Sequence, residues 1–530
     1  MANVPVFIIG CGPIGLTGAL LLSRHGIRSL LIDKRTAVNT HPRSRFVDTN
    51  TMELMRELGI EKAVEDTGLG PEWTGYNRWF SSLTGDVIAE IPSPTFHTVP
   101  RDSSPTMPVM TCQDYVEAVL MSRVAEDDNI DMRFSTEALS LAQSPDGTRA
   151  VIRNADGSEE EVIADYTVGA DGPHSITRAV IDSVLETDPR PNYSQDVIFE
   201  ADLSEYVEDR KAGLLYALTV NGVLVFQPLN GITRWRCQIF KPDPDILPDD
   251  VTIARIREAI GSDQVDISIK STGIWKPTPG CTSKLGEGRI FLAGDAAHVT
   301  VPTGGMGNNV GFAGIRNLAW KLAYVIKGYS PASILGTYHE EHRPLALERI
   351  ATGVQTTGFM GKMIGAYYKG EDTGPGIALT QQYAMYDGKI LGFELTSPLI
   401  GANDSAAPAT ADPVRDFIPA IRAGRRAPHV WIDEADGQSI LDWFGRDYVL
   451  VMGSKVDAGA WEAAKAAIAA SSELPVAMRQ LPAQPLSPYD DHALVLVRPD
   501  GIIADTWRDG ELAGETHSAR LSRHLPLIAA

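Results

Sequence analysis

Cysteine is scarce in this chain. The four present in 530 residues, Cys11, Cys112, Cys237 and Cys281, lie so far apart that there is no C-x-x-C pair and no Cys/His cluster at metal-ligand spacing. A disulfide framework, dithiol chemistry and a structural zinc site are thereby excluded, and the thiols read as reduced ones in a cytoplasmic protein. Long apolar runs are missing too: none approaches the roughly 18 residues of a membrane span. No charged n-region followed by a cleavage site opens the chain, so secretion is not expected. Positive charge is also in short supply, with 47 Lys and Arg against 68 Asp and Glu and a net charge of −21. That balance argues against a nucleic-acid backbone or an anionic membrane surface as partner.

What is present reads as a globular chain, 43% hydrophobic and 22% charged, long enough for two to four domains. Val4 to Ile9 is a continuous apolar run, the pattern of a strand buried on both faces of a parallel sheet. It runs into Gly10-Cys11-Gly12-Pro13-Ile14-Gly15, then a helical pattern to His25, then a second apolar run, Ser29 to Ile32, ending at Asp33. Three glycines at this spacing permit the tight turn, the close approach of a pyrophosphate and helix-on-strand packing, and the acid about 20 residues on can hold a ribose hydroxyl. The order predicts an ADP-type dinucleotide site. Lys34 and Arg35 stand where they could touch phosphate or adenine, or simply face solvent.

His41-Pro42-Arg43-Ser44-Arg45 precedes a helix whose start is signalled by Asn50 and Glu53 at capping-box spacing. Its arginines are either pyrophosphate partners or surface cations. Thr111 to Asp127 predicts another helix, with Gln113 near its head. Met132 to Gly172 reads as a β-meander turning at Asp146-Gly147 and Asp156-Gly157, and it ends in a strand leading to Asp171-Gly172. From about Pro189 to Lys276 the pattern is strand-rich, with Leu214–Val220, Val223–Pro228 and Thr233–Phe240 as the clearest runs. Tyr216, Gln227 and Arg234 alternate there with apolar residues and face either a pocket or ordinary sheet surface.

Arg289 to Asn309 is the stretch around which the rest is organised. A buried strand, Ile290 to Ala293, runs out into Gly294-Asp295, His298, Pro302 and a glycine-rich loop, just before a helix-compatible run from Val310 to Val325. Such a loop lets backbone N–H groups approach an anionic or electron-rich ring. Further helices are expected around Asn317–Ile326 and from Tyr338 towards Thr356. Thr396 to Asp412, rich in Ala, Pro and small polar residues, reads as a linker. Beyond it Tyr448–Met452, an Ala-rich helix from Ala460 to Ala470 and later strands form a small α/β domain. That domain lacks cysteine, which points to packing or oligomerisation rather than redox chemistry.

Three separated motifs, Gly10 to Gly15 with Asp33, Asp171-Gly172 with Ser175 and Arg178, and Gly294-Asp295 through Asn309, together resemble the single-component FAD-dependent aromatic hydroxylases, the family of phenol hydroxylase and para-hydroxybenzoate hydroxylase. The HPRSR segment, Gln113, NLAWKLA from Asn317 and GRRAPH from Gly424 extend the resemblance over nearly the whole chain. It implies an α/β fold: a Rossmann-like FAD-binding domain with an inserted β-meander (residues 1–185 and 277–395), a strand-rich substrate domain (186–276), a linker (396–414) and a thioredoxin-like C-terminal domain without redox cysteines (415–530). It implies FAD held by Gly10, Gly12, Pro13, Ile14, Gly15, Asp33, Lys34, Arg43, Gln113, Asp171 and Asp295, with the backbone of Gly305, Met306, Gly307, Asn308 and Asn309 along the isoalloxazine.

NADPH or NADH would reduce the flavin, O2 would add to give a C4a-hydroperoxide, and one oxygen would pass to a phenolic or polyketide-type ring. A phenol reacts faster as phenolate, and its unperturbed pKa is about 10. By position the Pro302 carbonyl resembles the family's contact to the phenolic oxygen, and Arg45 and Tyr216 are the candidates for orienting or deprotonating the substrate. A flavin-dependent reductase or dehydrogenase, and a Baeyer–Villiger or epoxidising monooxygenase, are the alternatives on the same scaffold. A homodimer is implied by resemblance through the C-terminal domain. Two departures stand out: Val301-Pro302 where many relatives have two prolines, and Gly314-Ile315 where many have Asp-Ala, which removes a carboxylate beside the flavin-binding helix.

Overall fold

The computed structural model describes residues 2–37, 41, 44–93, 103–382, 387–403, 406–453, 462, 475–482, 488–489 and 492–508. Val6, Phe7 and Ile8 are fully buried, and a run apolar on both faces settles in the interior of a parallel sheet. The Ala2–Ile9 strand lies there, between Glu159–Gly169 and Ser29–Ile32. Ile290–Leu292 flanks the first neighbour and Ile130–Arg133 the second, all parallel. Register sets the geometry that matters. Ile9 is level with Ile32 and Gly169, and Gly169 with Leu292. Four strands therefore end along one edge, and the chain leaves them through Gly10, Asp33, Ala170 and Ala293. The expected meander is present as the hairpin Glu137–Ser144 and Gly147–Arg153, joined antiparallel to Glu159–Gly169.

A second, seven-stranded sheet contains the three predicted runs as Leu214–Thr219, Gly222–Pro228 and Arg234–Lys241. It also takes in Tyr76–Phe80 and Val87–Pro92, from a stretch in which the sequence shows no strong signal; Tyr76–Phe80 pairs parallel with Leu214–Thr219. One face is an apolar core of Val197, Leu215, Leu224, Phe226 and Cys237 against Ile256, Ala259 and Ile260 of the Asp249–Ile260 helix. Across the other face the register lines up Trp79, Tyr216, Val225, Gln238 and Asp196. Thr337–Lys369, a 33-residue helix about 50 Å long at 1.5 Å per residue, bridges the two layers. Its first turns bury Tyr338, Glu341 and His342 in the parallel-sheet layer. Its end packs Met360, Met363, Ile364 and Tyr367 on the Trp79–Tyr216 face.

The Asn50/Glu53 capping box is not what starts the next helix. Asp48 is the N-cap of Thr49–Glu57, its carboxylate accepting the Thr51 N–H at 2.8 Å. Glu53 is instead buried, accepting from Arg426 Nε at 2.7 Å and Ser104 Oγ at 2.7 Å. A buried guanidinium is a stronger donor for a carboxylate than a backbone amide.

At the C-terminal end Val476–Gln480, Tyr448–Met452, His492–Val497 and Ile503–Arg508 form a mixed sheet, the first pair parallel and the others antiparallel. This arrangement is consistent with a thioredoxin-like unit. The helix expected at Ala460–Ala470 lies, Glu462 apart, outside the described residues. The Ala/Pro-rich stretch before the unit is tied down: Leu399 is buried with Trp320 and Leu450, and the Gly401 N–H donates to the Ala504 carbonyl at 2.7 Å. Charge, too, welds the unit to the helices below. Arg498 donates to both oxygens of Glu341, at 2.7 and 2.9 Å, and also pairs with Asp500; Lys321 donates to Glu341 at 3.0 Å, and Arg498, Glu341 and Lys321 have fully buried side chains. No helix among the described residues is long and apolar enough to cross a membrane.

Candidate active site

The chain turns sharply out of its first strand at Gly10, whose φ of 114° suits only glycine. A Cβ there would stand 2.2 Å from the Ala170 carbonyl oxygen, and one at Gly15 would stand 1.9 Å from that of Gly10. Both are therefore needed to close the loop on its own framework. Gly12 differs, because a Cβ there would meet nothing within 4 Å. It is the N-cap of Pro13–Arg24 and offers no side-chain cap. Its open side faces a helix start whose first N–H groups have no intrahelical partner, an arrangement suited to an anion.

The three sequence motifs meet at this edge. Gly10 packs on Ala170; a Cβ at Gly294 would lie 3.1 Å from Ile14, and one at Gly311 would lie 2.8 Å from it. Arg178 donates to the Ala296 carbonyl at 3.1 Å and to the Pro173 carbonyl, tying the Asp171 loop to the Asp295 turn. Asp171 Oδ2 accepts the Thr177 N–H and hydroxyl at 3.1 and 3.0 Å. Its Oδ1 is buried without a partner among the described residues, as expected of an acceptor waiting for a ligand donor.

Asp33 sits at the end of the Ser29–Ile32 strand, beside the loop. It accepts the Cys11 N–H at 2.9 Å and both the backbone and guanidinium of Arg35. Burial alone would raise its pKa, but these hydrogen bonds outweigh burial and hold the carboxyl below its ordinary value. Arg35 is 37% exposed, so it can swing aside for a ribose without stranding a buried cation. Lys34 is exposed. Arg43 lies outside the described residues. Gln113 begins its helix as placed by the sequence, accepting the Ser44 N–H at 3.3 Å and donating to the buried Glu117 at 2.6 Å.

The glycine-rich loop leads into the Met306–Ile326 helix, with Gly305 as its N-cap at φ 63°. A Cβ there would crowd Phe46 at 2.8 Å. The Asn309 side chain accepts from the Asp48 N–H and Thr51 hydroxyl at 3.0 and 2.8 Å and donates to the Phe46 and Gly305 carbonyls at 3.0 and 2.8 Å. It is fully used in fastening the loop to the Phe46–Asp48 segment, which leaves backbone rather than side chain to meet a ring. The Pro302 carbonyl accepts the Gly305 N–H at 3.0 Å, and with two lone pairs it keeps one acceptor site.

Arg45 is buried, its terminal nitrogens donating to the carbonyls of Gly213 at 2.9 Å and Pro228 at 2.6 Å. Burial draws its pKa down to about 10, so it remains a cation at neutral pH. It clamps the second sheet onto the glycine-loop layer. Tyr216 stacks on Trp79, centroids 4.5 Å apart and planes within 4°. Beside it are groups the sequence reading did not select: Arg236 paired with the buried Asp196, and Gln238 accepting from Gln227 at 2.8 Å. Arg236 shares a strand face with Arg234 at period two, which was the available signal. Arg234 itself pairs with Asp114 at 2.7 Å.

The Gly314 departure is filled from the neighbouring helix. A Cβ at Gly314 would lie 2.4 Å from His342 Nε2, and that nitrogen is 3.2 Å from His298 Nε2. Two buried imidazoles thus occupy the space, and burial pushes His298 down to about 4 and His342 well below its usual value. An uncapped helix start, an open glycine, an orphan carboxylate oxygen and a fastened glycine loop along one sheet edge fit an extended dinucleotide such as FAD.

Known proteins agree with this reading. Residues 3–351 match the FAD binding domain family, and residues 421–526 the family described as aromatic-ring hydroxylase, C-terminal. The chain is 31% identical to a 4-methyl-5-nitrocatechol 5-monooxygenase of a Burkholderia species, over 98% of this chain and 96% of that protein. It is 30% identical to an aklavinone 12-hydroxylase of Streptomyces purpurascens, over 97% and 96%. Its structure is similar to the flavin-dependent monooxygenase PieE in complex with FAD and substrate, with a TM-score of 0.89, 27% identity and 99% of both chains covered.

Proposed function

The chain belongs to the FAD-dependent aromatic-ring hydroxylases, and on that premise we propose that it hydroxylates a phenolic or polyketide-type arene in the space between the glycine loop and the Trp79–Tyr216 face of the second sheet. The observation that carries this is the meeting of three distant segments at the carboxyl ends of four level strands, where α/β sheets bind ligands. FAD, when bound, takes electrons from a nicotinamide donor and uses O2 to place one oxygen atom on an electron-rich ring.

The residues of the chain do the remaining work. Gly12 and the Pro13–Arg24 helix start receive the pyrophosphate, Asp33 the ribose, Asp171 and Asp295 polar groups further along, and the backbone from Gly305 to Asn309 the ring system. Trp79, Tyr216, Val225 and Met363 form an apolar wall that keeps water from the reacting ring, since a wet chamber loses activated oxygen as peroxide. The Pro302 carbonyl, with its spare lone pair, holds the phenolic hydrogen. Tyr216 orients the arene, and Arg45 holds the roof over the loop. The roof and the arene chamber are thus linked through one buried cation. Narrower readings accompany this one: NADPH or NADH as donor, a cytoplasmic location and a homodimer.

The test is a panel of hydroxyarenes screened for arene-stimulated NAD(P)H oxidation, with O2 uptake and peroxide followed together. Stoichiometric O2 uptake with little peroxide is expected for a substrate. If the purified chain takes up FAD yet no arene speeds donor oxidation, the hydroxylase reading of this site fails.

A further inference from the structure

Asp33 is saturated by its own chain. An ionised carboxylate offers about four acceptor sites, and four donors fill them. Oδ1 takes the Arg35 N–H at 2.9 Å and the Arg35 Nε at 3.0 Å; Oδ2 takes the Cys11 N–H at 2.9 Å and a terminal Arg35 nitrogen at 2.8 Å. A ribose hydroxyl can donate to this carboxylate only when one of the four gives way. The two backbone donors are fixed. The Cys11 N–H belongs to the loop that Gly10 and Gly15 close, and the main chain around Arg35 is pinned to the neighbouring segment, the Ser135 N–H donating to the Arg35 carbonyl at 2.8 Å and the Thr136 N–H to the Asp33 carbonyl at 2.9 Å. The other two donors sit on the guanidinium, at the end of a flexible and partly exposed side chain.

The sequence offers Arg35 as a phosphate or adenine contact or as a solvated cation, and the fork it makes with Asp33 is neither. A guanidinium laid bidentately on a carboxylate presents two parallel donors, and the neighbouring 2′- and 3′-hydroxyls of a ribose are two donors as well. We infer that Arg35 is a built-in competitor for the ribose position: its guanidinium and the adenosine end of FAD hold Asp33 in turn, and the cofactor binds by taking the carboxylate from it. This rests on the ribose placement at Asp33 proposed above and adds its consequence. A ligand whose site is open for only a fraction of the time binds more weakly by that fraction, so Arg35 sets the FAD affinity below what Asp33 alone would give. Because the pair is partly exposed, the effect is modest, about threefold.

The experiment is equilibrium dilution of the flavin-loaded protein, with released FAD read by its fluorescence, for wild type, Arg35→Ala and Arg35→Lys. Arg35→Ala should hold FAD about threefold more tightly, and Arg35→Lys, a point charge without the fork, should fall between the two. Adenosine diphosphate and its 2′,3′-dideoxy form, their affinities obtained from displacement of FAD, isolate the hydroxyls. The gain from Arg35→Ala should appear with the first and vanish with the second, a difference that a merely structural role for Arg35 would not produce. Asp33→Ala checks the placement underneath: it should weaken FAD relative to Arg35→Ala and abolish the gain when the two are combined. Weaker or unchanged FAD binding by Arg35→Ala would overturn the inference, as would an equal gain for both nucleotides. If Asp33→Ala binds FAD as tightly as Arg35→Ala does, the ribose placement itself fails and the competitor with it.

Discussion

Replacing Arg498 by Met tests what holds the C-terminal unit to the flavin layer. Arg498 and Lys321 balance Glu341 and Asp500, two charges against two, with Trp320 Nε1 and the Asn317 amide completing Asp500 at 3.1 and 3.4 Å. Burial raises the Glu341 pKa, and Arg498 and Lys321 more than reverse that, keeping it ionised. Burial brings Lys321 down to about 8, with Arg498 pushing the same way. Removing Arg498 leaves one net negative charge sealed from water, and breaking a buried pair from one side costs about 3–5 kcal/mol. The guanidinium lies 5.2 Å from the Trp320 ring, so tryptophan emission reports locally as urea is raised. The expected result is a separate, earlier transition of the C-terminal unit, with release of FAD at lower urea. Arg498→Met combined with Asp500→Asn should recover most of the loss, because Lys321 and Glu341 then balance one against one. A single-variant cost below about 1 kcal/mol, the range of exposed pairs, would refute the claim that this cluster is the weld.

Other outcomes follow from the same geometry. Gly12→Ala should leave folding unchanged, since its Cβ has open space, yet weaken FAD by tenfold or more, or about 1.4 kcal/mol; Gly15→Ala should lower the melting temperature before any cofactor is added. Gly314→Ala gains about 1 kcal/mol of helix propensity but drives a methyl into His342, an overpacking cost of about 1–3 kcal/mol. Its melting temperature should fall, and His342→Ala in the same chain should restore it. His298 is held near 4 in the folded protein against an ordinary 6.5, so the unfolded chain takes up the proton first. Its contribution to stability is complete above pH 6.5 and is lost as pH falls towards 4, at about 1.4 kcal/mol per pH unit. His298→Asn should flatten that limb in urea titrations at pH 7.0, 6.0 and 5.0. Asp171→Asn, which turns an orphan acceptor into an amide, should weaken FAD binding measured by flavin fluorescence with little change in stability.

The cofactor edge was legible in the sequence because each of its parts is a strand end followed at once by its loop. Ile9–Gly10, Ile32–Asp33, Gly169–Asp171 and Leu292–Asp295 are each contiguous, and parallel pairing brings such ends level. The Asn50/Glu53 signal misled because Glu53 is claimed by Arg426, 373 residues away, which no local pattern records. Tyr76–Phe80 carries no strand pattern that stands out, and its partner Leu214–Thr219 lies far along the chain. The Gly314 departure was visible as a missing carboxylate. What replaces it, a histidine from the next helix, could be seen only once the helices were packed.

Because Tyr76–Phe80 and Val87–Pro92 are lent to the roof from the midst of the lower layer, neither layer is a removable cassette. A graft intended to change which ring is accepted would have to carry two separate pieces of chain, keep their in-line pairing at Tyr216 and Trp79, and rejoin the lower layer at four seams. Variation in this scaffold is therefore more readily achieved side chain by side chain on the Trp79–Tyr216 face than by exchanging whole blocks between relatives.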